Sequence, residues 1–219
     1  RDVVLSKPLT ERGVDLRLMD IVPEHLTDVD AYACHVIGQT GADATVISTT
    51  HLEEALDGAD AVIAAIEVER YRYWAMDYHV PRRYGFRQIY GENGGPGGIF
   101  HALRNIGPML EIALAMEHHC ARAPLLSYTN PEHKLVEAVS RLSGVKAVGL
   151  CHGVHMGRHQ IAHILGMDVE DLDTAACGIN HFTWFQRIRD RRTGEDLYPR
   201  LREMEREGDW LSDWHEIGM

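Results

Sequence analysis

The sequence lacks two features that would direct a protein to a membrane or to nucleic acid. Its longest uninterrupted aliphatic run covers residues 61–66, whereas a membrane-spanning helix needs about 20 apolar residues. It also lacks an excess of positive charge, since its formal net charge is −11 at pH 7. Nucleic acids and anionic membrane surfaces both select proteins with a basic face. We therefore expect neither nucleic acid nor a membrane as a partner.

Cysteine is also scarce in this chain. The sequence has 4 cysteines, with no CxxC motif and no dense spacing between them. This pattern differs from that of a disulfide-rich secreted scaffold and favours a reducing, cytoplasmic setting. A chain of 219 residues that is 45% hydrophobic is long enough to bury a substantial core without disulfides.

Short apolar segments alternate along the chain with segments of helical character. The apolar segments have the length of strands, and the run at residues 61–66 is apolar throughout, as a central parallel strand requires. The alternation predicts an α/β fold with a Rossmann-type, doubly wound parallel sheet and right-handed crossovers. The predicted strands are residues 14–20, 44–47, 61–66, 124–128 and 145–150.

A cysteine and a histidine follow the last of these strands, at the sheet edge where ligands bind in open α/β folds. They are Cys151 and His152, and Gly153 comes next. Further on, Asn180 and His181 follow another hydrophobic segment. A thiolate from Cys151 and an imidazole from His181 would form a soft-to-borderline divalent metal site. Taken alone, Cys151 is more simply interpreted as a small buried apolar residue. Taken alone, His181 is more simply interpreted as a hydrogen-bonded core histidine.

Two further polar residues follow predicted strands. Asp20 suits the adenosine ribose of a dinucleotide, although the pattern alone favours a helix-capping role. Asn130 precedes Pro131, and proline fits the first turn of a helix. The pattern alone therefore favours Asn130 as an N-cap over a contact with a substrate hydroxyl.

Residues 91–98 contain five glycines, too many for the interior of a helix or a strand. We expect a loop here whose backbone approaches a ligand closely, with Glu92 as the acid inside it. A plain flexible connector is the alternative interpretation. A long helix is predicted to follow over residues 99–119, because its apolar residues recur at helical spacing.

Taken together, the motifs of this chain resemble glycoside hydrolase family 4, in the same order and with similar spacings from about Val14 to Leu201. That family includes α-galactosidases, α-glucosidases, α-glucuronidases and 6-phospho-glycosidases. The motifs that carry the resemblance are residues 18–21, 84–98 with 101–104, 128–131, 149–153 and 178–184.

The resemblance implies a Rossmann domain that binds NAD, a divalent metal that is commonly Mn²⁺, and an unusual route to hydrolysis. In that route NAD⁺ oxidises the sugar at C3, which acidifies the proton on C2. A base removes this proton while the metal stabilises the resulting enediolate. The glycosidic oxygen then leaves, water adds, and NADH returns the hydride. This class is an exception to the two-carboxylate scheme of most glycosidases.

Carried over by position, the resemblance assigns roles to individual residues. Cys151 and His181 match the metal ligands, and His152 stands where some members carry an aspartate proposed as general acid. Glu92 matches an acidic residue of the glycine-rich loop, with a catalytic or substrate-binding role. The other matches are Asp20 and Asn130 for the cofactor, and Asn130 and Asn180 for the sugar.

The resemblance also implies two domains. Residues 1–150 are expected to form an NAD-binding, Rossmann-like domain without the first strand and glycine-rich turn that normally open it. Residues 151–219 are expected to begin a catalytic and metal-binding α+β domain, and the tyrosine proposed as the C2 base is expected beyond residue 219. Because family members commonly form dimers or tetramers, we expect a homodimer or a homotetramer.

The expected substrate is a small carbohydrate, most specifically a non-phosphorylated α-galactoside. The Cys-His-Gly form of residues 151–153 resembles members that act on non-phosphorylated sugars, and residues 84–88 resemble the α-galactosidases. Two other functions stay open. An NAD-dependent 2-hydroxy-acid dehydrogenase would use a related fold with substrate arginines, such as Arg82 or Arg104, and no metal-binding cysteine. A non-catalytic relative would bind sugar or dinucleotide without turnover.

Overall fold

The computed structural model describes residues 2–88, 90–92, 94–179 and 182–208. Within these ranges the chain forms a mixed α/β structure that opens with two one-turn helices. These are α1 (Asp2–Leu5) and α2 (Lys7–Thr10).

The first two strands form a parallel pair. They are β1 (Val14–Met19) and β2 (Ala44–Thr49), and the crossover between them is helix α3 (Pro23–Thr40). Proline suits the start of α3 because the first N–H groups of a helix have no intrahelical partner. The helix ends at Gly41, which adopts the left-handed conformation that glycine tolerates. Both strands agree with the sequence prediction.

Three more parallel strands form a second sheet in the order β3–β4–β5. Helix α4 (Leu52–Leu56) leads into this sheet, and helix α7 (Glu132–Leu142) connects its last two strands. The parallel pairing confirms the predicted α/β class. The strands are β3 (Val62–Ala64), β4 (Leu125–Ser127) and β5 (Ala147–Gly149).

The prediction that the first of these strands is buried on both faces is wrong for the described residues. Ile63 and Val148 lie in the same row of the sheet, and they are 54% and 49% exposed. Leu125, whose side chain points to the opposite face, is 1% exposed. Among the described residues, the apolar core therefore covers one face of β3–β4–β5 and leaves the row containing Ile63 and Val148 open.

Within the described ranges, β1–β2 and β3–β4–β5 are separate hydrogen-bonded sheets, and neither β1 nor β3 has a partner strand at its second edge. Helix α4 meets the first pair, since Arg17 donates to the carbonyl oxygens of Glu54 and Asp57.

The chain between β3 and β4 forms two helices, α5 (Arg70–Arg83) and α6 (Gly95–His119), which pack against each other. The prediction of a loop through residue 98 is wrong, because Gly95 to Gly98 form the first turn of α6. The reason is a close approach of two backbones. A Cβ atom on Gly97 would lie 2.0 Å from the carbonyl oxygen of Asp77 in α5.

The remainder of the described chain forms a helix, an antiparallel hairpin and a last helix. Its elements are α8 (Gly153–Leu165), a 3₁₀ turn (Val169–Asp171), β6 (Leu172–Ile179), β7 (Phe182–Asp190) and α9 (Tyr198–Glu207).

Two hydrophobic clusters stabilise these parts. The first joins α6 and α7 to the β3–β4–β5 sheet, with Met109, Met116, Leu125, Leu135 and Val139 at its centre. The second joins α8 to the hairpin, through Ala162, Leu165, Leu172, Ile188 and Leu197. None of the helices in the described part of the chain is long and apolar enough to cross a bilayer.

Candidate active site at the carboxyl edge of the sheet

The carboxyl ends of β3, β4 and β5 lie side by side. Ala64, Ser127 and Gly149 occupy one row of the parallel register. The ladder continues for one more residue, because the N–H of Tyr128 donates to Ala64 and the N–H of Leu150 donates to Ser127, both at 2.8 Å. Residues that follow this row therefore emerge together at the edge where α/β sheets bind ligands.

Three predicted site residues emerge at this edge. Cys151 follows β5 at two residues past the aligned row, and His152 follows at three. Asn130 follows the neighbouring strand β4, also at three residues past that row. The strand register therefore brings the chain at Cys151, His152 and Asn130 to one edge of the sheet.

Cys151 is exposed, and the N–H of Gly153 donates to its Sγ at 3.4 Å. Helix α8 begins at Gly153, and the positive end of a helix dipole suits an anionic ligand. A metal-binding cysteine acts as thiolate, so this position fits the role. Cys120 is different, because it is buried and desolvation raises the pKa of its thiol. It is a core residue.

Asn130 does not cap a helix, so the interpretation that the local pattern favoured is wrong. Helix α7 begins at Glu132, and the residue in the N-cap position is Pro131. The Asn130 side chain is half-buried and makes no hydrogen bond with any of the described residues. Its amide is available to a ligand at the sheet edge.

Asp20 directly follows β1, as expected for an acid that binds ribose. Its Oδ1 accepts a hydrogen bond of 2.8 Å from the N–H of Val22, and its Oδ2 lies 3.6 Å from Nδ1 of His25. The Asp20 side chain is 40% exposed. The first contact fixes the turn between β1 and α3, while the exposed part of the carboxylate can still accept hydrogen bonds from a diol.

Glu92 is 7% exposed and accepts a hydrogen bond from Nε1 of Trp74 in α5. The glycine-rich segment thus packs on α5 and is not a plain flexible connector at this position. A Cβ on Gly91 would lie 2.9 Å from the backbone nitrogen of Tyr78, so a glycine is required for this approach. Glu92 precedes α6 by three residues, and its carboxylate is oriented by the indole of Trp74.

His152 is exposed and occupies the N-cap position of α8, and its side chain makes no capping hydrogen bond. Asn180 and His181, the other predicted ligands of sugar and metal, lie outside the described residues. Within the described ranges, no group of three or more His, Cys, Asp and Glu residues could hold a metal ion.

A buried ionic network beside this edge was missed by the sequence analysis. Asp77 of α5 contacts His101 and Arg104 of α6, with 2.9 Å between its Oδ2 and Nδ1 of His101. Nε2 of His101 lies 3.4 Å from Oε1 of Glu67, which follows β3. The motif at residues 101–104 includes His101 and Arg104, but their contacts with Asp77 and Glu67 join positions up to 37 apart and are not visible in the local pattern.

Comparison with known proteins identifies the family. Residues 4–167 match the model of the family 4 glycosyl hydrolases, and residues 176–218 match the model of the C-terminal domain of that family. The chain belongs to glycosyl hydrolase family 4. The match confirms the resemblance indicated by the motifs.

Two curated relatives of this family 4 chain have named activities. An alpha-glucosidase from Erwinia rhapontici is 34% identical over 203 residues, which cover 92% of this chain and 44% of the relative. An alpha-galactosidase from Bacillus subtilis (strain 168) is 33% identical over 207 residues, which cover 94% and 47%. The chain thus spans less than half the length of these relatives.

A solved structure supports the fold of the family 4 chain. The crystal structure of a 6-phospho-alpha-glucosidase from gut microorganisms, in complex with NAD and Mn²⁺, superposes with a TM-score of 0.79 at 26% identity. The match covers 88% of this chain and 44% of that protein. It confirms the predicted Rossmann-type α/β class.

Proposed function

We propose that this family 4 protein hydrolyses a glycosidic bond with the help of NAD and a divalent metal such as Mn²⁺. The observation that carries the proposal is the emergence of Asn130 and Cys151 at neighbouring strand ends of a family 4 sheet. A solved relative of similar fold holds NAD and Mn²⁺. When bound, these groups supply reversible oxidation at C3 of the sugar and Lewis-acid stabilisation of charge at C2.

The donor set at the sheet edge fits a divalent metal. Cys151 supplies a sulfur ligand at the positive end of α8. In the proposal His181 supplies the second ligand as a neutral imidazole. Sulfur and nitrogen ligands together suit borderline divalent ions, and the sugar's own hydroxyls can complete the coordination.

The cofactor and the sugar are held by different residues in this proposal. Asp20 accepts hydrogen bonds from the adenosine ribose at the end of β1. Asn130 and Asn180 orient the sugar hydroxyls, with Asn130 also close to the cofactor. Exposed His152 protonates the leaving oxygen, and Glu92, fixed by Trp74, orients the substrate or assists proton transfer.

We further propose a division near residue 150. Residues 1–150 would form the NAD-binding domain, and residues 151–219 would begin the catalytic and metal-binding domain. The separation of the two hydrophobic clusters, one centred on α6 and β4 and the other on α8 and the hairpin, supports this division. A cytoplasmic homodimer or homotetramer is part of the same proposal.

The substrate proposed is a non-phosphorylated α-galactoside. The test uses purified protein with NAD⁺, Mn²⁺, a reductant and a panel of nitrophenyl α-galactoside, α-glucoside, α-glucuronide and 6-phospho-α-glucoside. We expect α-galactoside turnover to require both additions, to stop with a chelator and to return with Mn²⁺. Reaction in D₂O should place deuterium on C2 of the product, because that proton is removed and replaced.

The same assay separates the alternatives. If the enzyme prefers another glycoside of the panel, only the proposed substrate is wrong. Hydrolysis without NAD⁺ and without deuterium on C2 would contradict the mechanism. Chelator-insensitive oxidation of 2-hydroxy acids would instead indicate a dehydrogenase, and binding of NAD⁺ without any turnover would indicate a non-catalytic relative.

The role proposed for Asp20 gives a separate prediction. Changing Asp20→Ala removes the ribose acceptor and should weaken NAD⁺ binding by about tenfold, since hydrogen bonds to charged groups are among the stronger ones. Isothermal titration calorimetry measures the effect. Asp28→Ala, at an exposed position of α3, is the matched control and should leave the affinity unchanged. Equal affinities for the two variants would refute the assignment.

A further inference from the structure

Glu67 emerges at the same sheet edge as the predicted site residues. It lies three residues past Ala64 in β3, the same offset at which Asn130 follows Ser127 and His152 follows Gly149. The backbone here is tied to the neighbouring strand end, because the N–H of Ile66 donates to Oγ1 of Thr129 at 2.9 Å. The backbone that leads into Glu67 is thus anchored beside the end of β4.

The Glu67 side chain contacts one cationic and one potentially cationic group. Its Oε2 accepts from Nη1 of Arg70 at 2.8 Å, and its Oε1 faces Nε2 of His101 at 3.4 Å. The Glu67 side chain is nevertheless 17% exposed. Since a carboxylate has about four lone-pair sites, it can accept another hydrogen bond at the edge of the sheet.

Asp77 and Arg104 hold His101 through the ring nitrogen Nδ1, opposite the Nε2 atom that faces Glu67. The side chains of His101 and Asp77 are 1% and 5% exposed, and Nδ1 of His101 lies 2.9 Å from Oδ2 of Asp77. Arg104 pairs with the same carboxylate. The backbone behind Glu67 is also fixed, because Oδ1 of the buried Asn105 accepts from the N–H of Val68 at 3.1 Å.

The Nε2 atom of His101 is buried and has no hydrogen-bond partner among the described residues. Its nearest carboxylate oxygen, Oε1 of Glu67, lies 3.4 Å away, longer than a normal N–H···O bond. Leaving such a buried polar atom unpaired is unfavourable. Contacts at functional sites are often long before the ligand binds and shorten in the complex.

We propose that Glu67 binds a hydroxyl of the ligand at this edge, and that His101 is the positioning residue that orients it through the Asp77–Arg104 pair. The inference rests on the proposed function, which supplies two hydroxyl-bearing ligands, the ribose of NAD and the sugar. A carboxylate accepts hydrogen bonds from hydroxyls and donates none. Glu67 and His101 differ from the residues proposed as metal ligands, as general acid and as ribose acceptor.

Two variants of His101 separate positioning from folding. His101→Gln places an amide N–H close to the position of Nε2 and should keep Glu67 oriented, whereas His101→Asn places its amide near Nδ1 and should not. In both variants Asp77 keeps its pairing with Arg104, so thermal unfolding should report a folded protein. Glu67→Gln removes the charge of the acceptor. Glu137→Gln, in an exposed pair with Arg141, is the matched control.

The measurements are the Kd of NAD⁺ by calorimetry and the KM and kcat for nitrophenyl α-galactoside at saturating NAD⁺ and Mn²⁺. We expect Glu67→Gln and His101→Asn to weaken the binding of one of these ligands by about tenfold. The binding constants of His101→Gln and Glu137→Gln should stay near those of the wild type. A change in the Kd of NAD⁺ would show that Glu67 binds the ribose, and a change in KM would show that it binds the sugar. The double variant of Glu67→Gln with His101→Asn should bind the ligand no more weakly than Glu67→Gln alone.

Three results would overturn the inference. They are unchanged binding of both ligands by Glu67→Gln, equal losses in His101→Gln and His101→Asn, and additive losses in the double variant. In each case wild-type protein that binds NAD⁺ and turns over the glycoside would leave the proposed function standing. Wild-type protein that binds neither probe would overturn the proposed function, and this inference with it.

Discussion

Changing Cys151→Ser should lower Mn²⁺-dependent glycoside turnover by more than about 100-fold, because loss of even an outer partner of a metal ligand commonly costs 10- to 100-fold. A serine hydroxyl is a neutral oxygen donor and replaces a soft, anionic sulfur poorly. The sulfur of Cys151 lies at the start of α8 and accepts from the N–H of Gly153. The substitution is nearly isosteric, so folding should survive.

Two measurements make the Cys151→Ser result specific. Activity is titrated against Mn²⁺ concentration, and the loss should be accompanied by weaker metal binding while the Kd of NAD⁺ changes little. Cys34→Ser, at an exposed cysteine of α3, controls for the loss of a thiol and should stay near wild type. A Cys151→Ser protein with wild-type turnover and metal affinity would remove this residue from the site.

Changing Gly97→Ala should destabilise the fold by on the order of 3 kcal/mol, the upper end of the usual cost of overpacking. The added Cβ would lie 2.0 Å from the carbonyl oxygen and 2.8 Å from the carbonyl carbon of Asp77. These are backbone atoms, so a side-chain rotation cannot relieve the clash. Helices α5 and α6 would have to separate, which would also disturb the Asp77–His101 contact and the position of Glu92.

The unfolding midpoint in urea measures this prediction. Gly38→Ala is the matched control, because Gly38 lies at an exposed helical position of α3 and a Cβ there would meet nothing within 4 Å. Alanine favours helix over glycine by about 0.5–1 kcal/mol, so this control should be neutral or slightly stabilising. A Gly97→Ala protein as stable as Gly38→Ala would show that α5 and α6 are not packed as described.

The strands and the edge residues of the site could be predicted from sequence because their signals are local. A short apolar run that ends in polar residues predicts a strand end, and the parallel order of β3, β4 and β5 then follows from the helices between them. Cys151 and His152 were placed at the sheet edge in this way, whereas the site role of Asn130 came from the family motifs. The family motifs added roles that strand patterns alone do not carry.

The parts that sequence did not predict depend on contacts between distant segments. The helical turn at residues 95–98 lies where Gly97 fits against Asp77, a contact that composition does not reveal. Asn130 was favoured as a cap because Asn-Pro suits a helix start, yet α7 begins at Glu132. Glu67 was missed because its place beside the end of β4 depends on the contact between Ile66 and Thr129, which are distant in the chain.

We propose that Cys151 and His181 bind the same divalent ion. The most direct measurement is the absorption spectrum of Co²⁺-loaded protein, in which a cobalt–thiolate bond gives a charge-transfer band. We expect this band in wild-type protein and in Cys34→Ser, its loss in Cys151→Ser, and a weaker Co²⁺ affinity with an altered visible spectrum in His181→Gln. An unchanged charge-transfer band and affinity in Cys151→Ser, or an unchanged spectrum in His181→Gln, would contradict it.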